Sequence, residues 1–150
     1  MAIVTGAWQG IGAGIAAAFS SAGYAVVGTA LSVEPSATPD VLMVPGDIAQ
    51  AETAELVVQQ GLDRFGRIDT LVNNAGIYIG KPFTEYTLDD YVAITSVNLT
   101  GFFHMTQRAI GQMVAQGRGH VVNVSTSLAK HADTREPSAL ASLPKVAWRR

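Results

Sequence analysis

An apolar run, Ala2-Ile3-Val4, breaks into Thr5-Gly6-Ala7-Trp8-Gln9-Gly10-Ile11-Gly12 and then into the alanine-rich stretch Ala13 to Ala22. The pattern reads as a strand, a glycine turn and a helix start. Such a turn brings backbone N–H groups to a helix N-terminus, where unpaired donors and the positive dipole end favour an anion. Gly6 permits a turn that side chains would obstruct, Gly10 lets a pyrophosphate approach the backbone, and Gly12 lets the helix lie close to the sheet. A dinucleotide would lie across this edge. The spacing Gly6-x-x-x-Gly10-x-Gly12 differs from the commoner G-x-G-x-x-G, and a tight connection without ligand uses the same residues.

Further strands are predicted at Tyr24 to Ala30, Val41 to Val44, Ile68 to Val72 and His120 to Val124. Helices are predicted at Ile11 to Ala22, at Ala51 to Phe65 with Leu56 and Val57 inward, at about Leu88 to Val97, and at about Leu99 to Gln116. Leu31 to Asp40, with Pro35 and Pro39, is a loop. Strands alternating with helices at these spacings imply βαβ units and a doubly wound, Rossmann-type parallel sheet of about five strands, incomplete at its far edge. Ligands of such a sheet bind at the carboxyl ends of the strands, which here carry Gly6, Ala30, Asp47, Asn73 and Ser125.

With 150 residues, 48% hydrophobic and 15% charged, the chain suits one domain and not a disordered segment. A formal net charge of −2 offers no basic surface for nucleic acid or anionic lipid, so the expected partner is a small molecule. The absence of cysteine excludes disulfides and thiolate catalysis, and His104, His120 and His131 share no metal-ligand spacing. No apolar run reaches membrane-spanning length and no leader pattern precedes the first strand, so the expected compartment is the cytoplasm.

Thr5-Gly6-x-x-x-Gly10-Ile11-Gly12, Asp47-Ile48, Asn73-Asn74-Ala75-Gly76, Val97-Asn98-Leu99-x-Gly101 and Val121-Val122-Asn123-Val124-Ser125-Thr126 stand in one order. Together they closely resemble the classical short-chain dehydrogenase/reductase family over residues 2 to about 127. The resemblance implies that Gly6, Gly10, Ile11 and Gly12 hold the pyrophosphate of NAD(P) and that Asp47 and Ile48 meet the adenine. Asn74, Ala75 and Gly76 line the adenosine ribose and the cofactor face. Asn98 matches the asparagine that kinks a helix and holds a water of the proton relay. Bland alternatives are an Asp47 that ends its strand, an asparagine pair that makes a turn and an Asn98 that caps the helix from Leu99.

The family's NAD-preferring members carry an acidic residue where this chain has Ala30, although Gln9 stands where many NADP-preferring members carry a basic one. Val27-Gly28-Thr29-Ala30 also resembles NADP-dependent ketoacyl reductases, so the resemblance leans slightly to NADP. The serine that polarises a substrate carbonyl matches Thr126, with Ser125 or Ser127 within a small register change. The family's tyrosine acid/base and the lysine four residues later fall at Ala139 and Leu143, which cannot do that chemistry, and Pro144 is expected to disrupt the helix there.

These positions divide the chain into a dinucleotide-binding unit, residues 1–127, and an aberrant tail, residues 128–150. Codons for Ser142 to Arg149, shifted by one base, can encode a segment resembling that around the family's lysine, so a frameshift or truncation is one expected origin of the tail. The expected function is NAD(P)-dependent oxidoreduction of an alcohol/carbonyl pair, by family, with a non-catalytic or vestigial dinucleotide-binding module as the alternative. Trp8 either covers the cofactor or shields the turn. Phe102, Phe103, Met105 and Ile110 are expected at the core and at contacts with another subunit, and an uncovered fifth strand implies self-association.

Overall fold

The computed structural model describes residues 1–127 and 139–147, the last four by their backbone alone. Five parallel strands, β1 (Ala2–Thr5), β2 (Val26–Ala30), β3 (Val41–Pro45), β4 (Thr70–Asn73) and β5 (His120–Asn123), lie in the order β3-β2-β1-β4-β5. The order reverses direction between β1 and β4, which makes the crevice above them the switch point of a doubly wound sheet. The expected fold class is therefore observed.

Helix α1 (Gly10–Ser21) packs one face of the sheet, where Ile15, Ala16 and Phe19 meet Val4, Val26 and Val72. Helices α2 (Ala51–Phe65) and α4 (Phe102–Gln116) cover the other face, burying Ala54, Val57, Met105, Ala109 and Met113 against Ile3, Val27, Val44 and Leu71. Burial of an aliphatic side chain contributes roughly 1.5–3 kcal/mol relative to exposure, so this layer holds the strand ends in place. Both helices stop at a glycine in the left-handed region, Gly66 and Gly117, which an L side chain adopts only with strain.

The buried stripe of α2 is Thr53, Ala54, Val57 and Gly61, spaced at helical intervals, and Leu56 lies off it and is exposed, contrary to the inward placement expected from its apolarity. Among the aromatic and apolar residues of α4, Met105 is core, whereas Phe103 and Ile110 are exposed. Helix α3 (Leu88–Thr95) runs into α4 through a π-helical turn, Ser96–Gly101, so Asn98 sits inside a helical run and does not cap one. Helix α5 (Ala139–Ala147) packs against α3 and the π turn, with Leu140 and Ala141 buried. Its backbone continues through Pro144, so the expected break is not observed; a proline removes one donor, while packing of the preceding turn holds the helix. The polar stretch from Lys130 to Pro137 and the terminal Trp148-Arg149-Arg150 lie outside the described residues.

Candidate dinucleotide site at the strand ends

Thr5 ends β1 and its hydroxyl organises the crevice. Its Oγ1 accepts hydrogen bonds from the backbone N–H groups of Asn74 and Ala75, each at 3.0 Å, and it also lies 3.4 Å from the Val72 carbonyl. The Asn74 amide returns the connection, donating from Nδ2 to the carbonyl oxygens of Thr5 at 2.9 Å and Gly6 at 3.3 Å. The end of β4 is thereby tied to the glycine turn across 69 residues of sequence. Asn73 points to a different network, donating to Thr106 Oγ1 at 2.9 Å and to Asn123 Oδ1 at 3.0 Å.

The glycines differ in what requires them. A Cβ on Gly12 would sit 2.0 Å from the Gly6 carbonyl oxygen, so close approach of α1 to the turn excludes any side chain there. Gly10 has φ +55 and would meet nothing within 4 Å, so its requirements are a left-handed backbone and open space on the ligand side. Gln9, the residue ahead of α1, makes no side-chain capping bond and the first turn contains no acidic residue. Its donors and positive dipole end are left to whatever enters the crevice.

That crevice encloses about 580 Å³ and is lined by residues following β1, β2, β3 and β4. Gly6, Ile11, Gly12, Asp47, Ile48, Asn74, Ala75 and Gly76 share its wall, so these sequence candidates are brought together, with Gly10 beside them in the turn. Asp47 also performs the bland role considered for it, since its Oδ1 accepts from the Ala49 N–H at 2.9 Å and turns the chain from β3 toward α2. Ile48 presents itself to the wall while its side chain packs where a Cβ on Gly101 would fall, 2.6 Å from its Cγ1.

The wall also includes Trp8, Leu31, Ser32, Ile77 and Val97, of which sequence reading anticipated only Trp8. Leu31 and Ser32 were legible in principle as the residues next beyond the end of β2. Asp47 is the sole ionisable side chain among the described residues of this wall. Among the described residues, no group of three or more His, Cys, Asp or Glu side chains could hold a metal ion.

The candidates for chemistry stand apart from the crevice lining. Asn98 is buried, 2% exposed, in the π turn. Its Oδ1 accepts from the Ile77 N–H at 2.8 Å and its Nδ2 donates to the Ile77 carbonyl at 2.9 Å, pinning the segment that follows Gly76. Ser125 and Thr126 follow β5 at the same edge of the sheet, Ser125 exposed and Thr126 half-buried. Ala139 and Leu143 lie four residues apart on α5, both exposed.

Known proteins share this arrangement. The family model for short chain dehydrogenase matches residues 1–139. A 2-dehydro-3-deoxy-D-gluconate 5-dehydrogenase of Escherichia coli is 30% identical over 95% of this chain and 59% of its own length. A 3-oxoacyl-[acyl-carrier-protein] reductase of Synechocystis is 32% identical over 84% of this chain and 55% of its own. The solved structure of a short-chain dehydrogenase from Streptomyces avermitilis superposes with a TM-score of 0.89 at 32% identity, over 97% of this chain and 56% of that one. The chain spans somewhat more than half the length of the curated relatives it matches.

Proposed function

The chain belongs to the short-chain dehydrogenase family, and from that premise we propose that residues 1–127 form an NAD(P)-binding unit of an oxidoreductase acting on an alcohol/carbonyl pair. The observation that carries the reading is the uncapped, acid-free start of α1 opening into a crevice at the switch point of the sheet. Gly6, Gly10, Ile11 and Gly12 hold the pyrophosphate, Asp47 and Ile48 meet the adenine, and Asn74, Ala75 and Gly76 line the adenosine ribose and the cofactor face. The residues present fit such a group because a diphosphate needs donors and room, and the turn offers both. Ala30 presents no carboxylate to a ribose 2′-phosphate, so NADP is admitted as well as NAD, with the slight preference for NADP a proposal on the same ground.

When bound, the nicotinamide supplies or takes up the hydride exchanged with the substrate carbon. Thr126, with Ser125 beside it, donates a hydrogen bond to the substrate oxygen. Asn98, anchored on Ile77, retains one Nδ2 hydrogen and further acceptor capacity on Oδ1 for a water of the proton relay. The substrates are small molecules, and no described helix is long and apolar enough to cross a membrane.

A second reading, a dinucleotide-binding module without turnover, rests on the alignment inferred from the family resemblance. On that alignment the family's tyrosine and lysine fall at Ala139 and Leu143, which lie on α5, and neither side chain can carry a proton or lower a neighbour's pKa. The test is hydride transfer on a panel of generic carbonyls with NADH and NADPH. Binding without turnover supports the module reading, whereas turnover by the unaltered chain means that another group donates the proton and that the assignment of Ala139 and Leu143 is wrong.

A further inference from the structure

Trp8 is the one aromatic side chain among the described residues of the crevice wall, and it is 49% exposed. Its indole makes no ring contact and no hydrogen bond with any described residue. A large apolar ring in a tight turn ordinarily packs down on its own chain, as the shielding role would require; this one stands half in solvent at the mouth of a cavity. Its position along the wall is fixed by the backbone. The Ala7 N–H donates to the Thr29 carbonyl at 3.2 Å, which extends the β1–β2 pairing to the residue before Trp8 and sets the indole beside the end of β2. Leu31 and Ser32, the next residues beyond β2, share the same wall.

In a doubly wound sheet the ribose of the adenosine half sits at the end of the second strand, with its base beyond. Relatives of this architecture recognise that ribose with a carboxylate or a cation, and here the corresponding position is Ala30 while, among the described residues, no Lys, Arg or His lines the wall. The Asp47 carboxylate, the one charged group among the described residues of the wall, follows β3 and not β2, and its Oδ1 accepts from the Ala49 N–H. We infer that the Trp8 indole is the platform on which the adenine of the dinucleotide stacks, and that this contact, not a charged group at the ribose 2′ position, carries recognition of the adenosine end. The inference rests on the dinucleotide reading above and deepens it. Stacking on an aromatic face is indifferent to the 2′ substituent, so Trp8 contributes equally to NADH and NADPH binding.

The experiment is equilibrium titration of the full chain carrying Trp148→Phe, which leaves Trp8 as the only tryptophan. NADH, NADPH, AMP and nicotinamide mononucleotide are added separately. AMP should quench Trp8 fluorescence saturably. Trp8→Ala should raise Kd for NADH, NADPH and AMP together by about tenfold, with nicotinamide mononucleotide unaffected and Trp8→Phe recovering most of the loss. Should the alanine variant fail to fold by circular dichroism, the AMP quench in the parent and the phenylalanine variant still decide. Tight NADH binding with no quench by AMP, or with Kd unchanged in Trp8→Ala, overturns the role of Trp8 and leaves the cofactor reading standing. No binding of any nucleotide to the parent chain overturns the cofactor reading, and this one with it.

Discussion

Gly12 and Gly10 separate two reasons for a glycine that a motif alone presents as one. Gly12→Ala drives a methyl group into the Gly6 carbonyl, 2.0 Å from the added carbon, and the helix must move away from the turn. The expected loss is about 1–3 kcal/mol in denaturant unfolding, together with loss of nucleotide binding. Gly10→Ala meets no atom and suffers only from its left-handed backbone, about 1 kcal/mol, so nucleotide affinity should fall further than stability does. Equal losses in the two variants, by chemical denaturation and NADH titration, would contradict the distinction. Asn98→Ala would remove both hydrogen bonds to the Ile77 backbone, each contributing about 0.5–1.5 kcal/mol, and would loosen the wall after Gly76. The glycines were legible because their constraint is local: consecutive residues fix the turn. The hub function of Thr5 was not, since the groups that bond its hydroxyl arrive from 69 and 70 residues away.

Among the elements, α3 carries a titratable device in its own cap. Thr87 and Asp90 form a reciprocal capping box, and Asp90 also receives Lys81 Nζ at 2.7 Å. The hydrogen bond from Lys81, followed by those from the Thr87 backbone and hydroxyl, lowers the Asp90 pKa from 3.8 to about 2. A depressed carboxylate contributes stability in full above its unfolded pKa and loses it as pH falls through the folded one, so this contribution fades between about pH 3.8 and about 2. Carbon-detected NMR titration should place Asp90 near the lower value and Lys81→Met should move it upward; an Asp90 that titrates near 3.8 in the unaltered chain would contradict the tether. The same scale shows where sequence periodicity fails. A π turn adds a residue to a helical run without any local compositional sign, so Ser96–Gly101 divided one predicted pattern from another and hid their continuity. Leu56 misleads for a related reason: apolarity alone placed it inward, while the stripe that touches the sheet is made of the smaller Thr53, Ala54 and Gly61 with Val57.

Across the whole molecule, the parallel strands and their doubly wound class were legible from the alternation of buried runs and amphipathic segments, because a βαβ unit leaves few topologies open, while the order of the strands came from the structure. The wall of the crevice was only partly legible, since Ile77 reaches it through the loop after β4 and Val97 from the π turn, neither of whose courses the chain's pattern encodes. Apolar side chains remain exposed on both faces among the described residues. Leu99, Phe103, Ile110 and Val114 are exposed along the π turn and α4, and Val122 is exposed on β5, which borders no further strand among the described residues. Concentration-dependent association is expected in sedimentation velocity, and Phe103→Lys with Val114→Lys should reduce it; a monodisperse monomer at all concentrations would contradict the expectation.

The central claim is that this sheet edge holds a dinucleotide, and isothermal titration of the 150-residue chain with NADH and NADPH tests it most directly. Saturable binding at one nucleotide per chain, abolished by Gly12→Ala, is the predicted result. A flat titration for both nucleotides with a chain that melts cooperatively would contradict it, because the fold would then be intact and its crevice without the affinity its geometry implies.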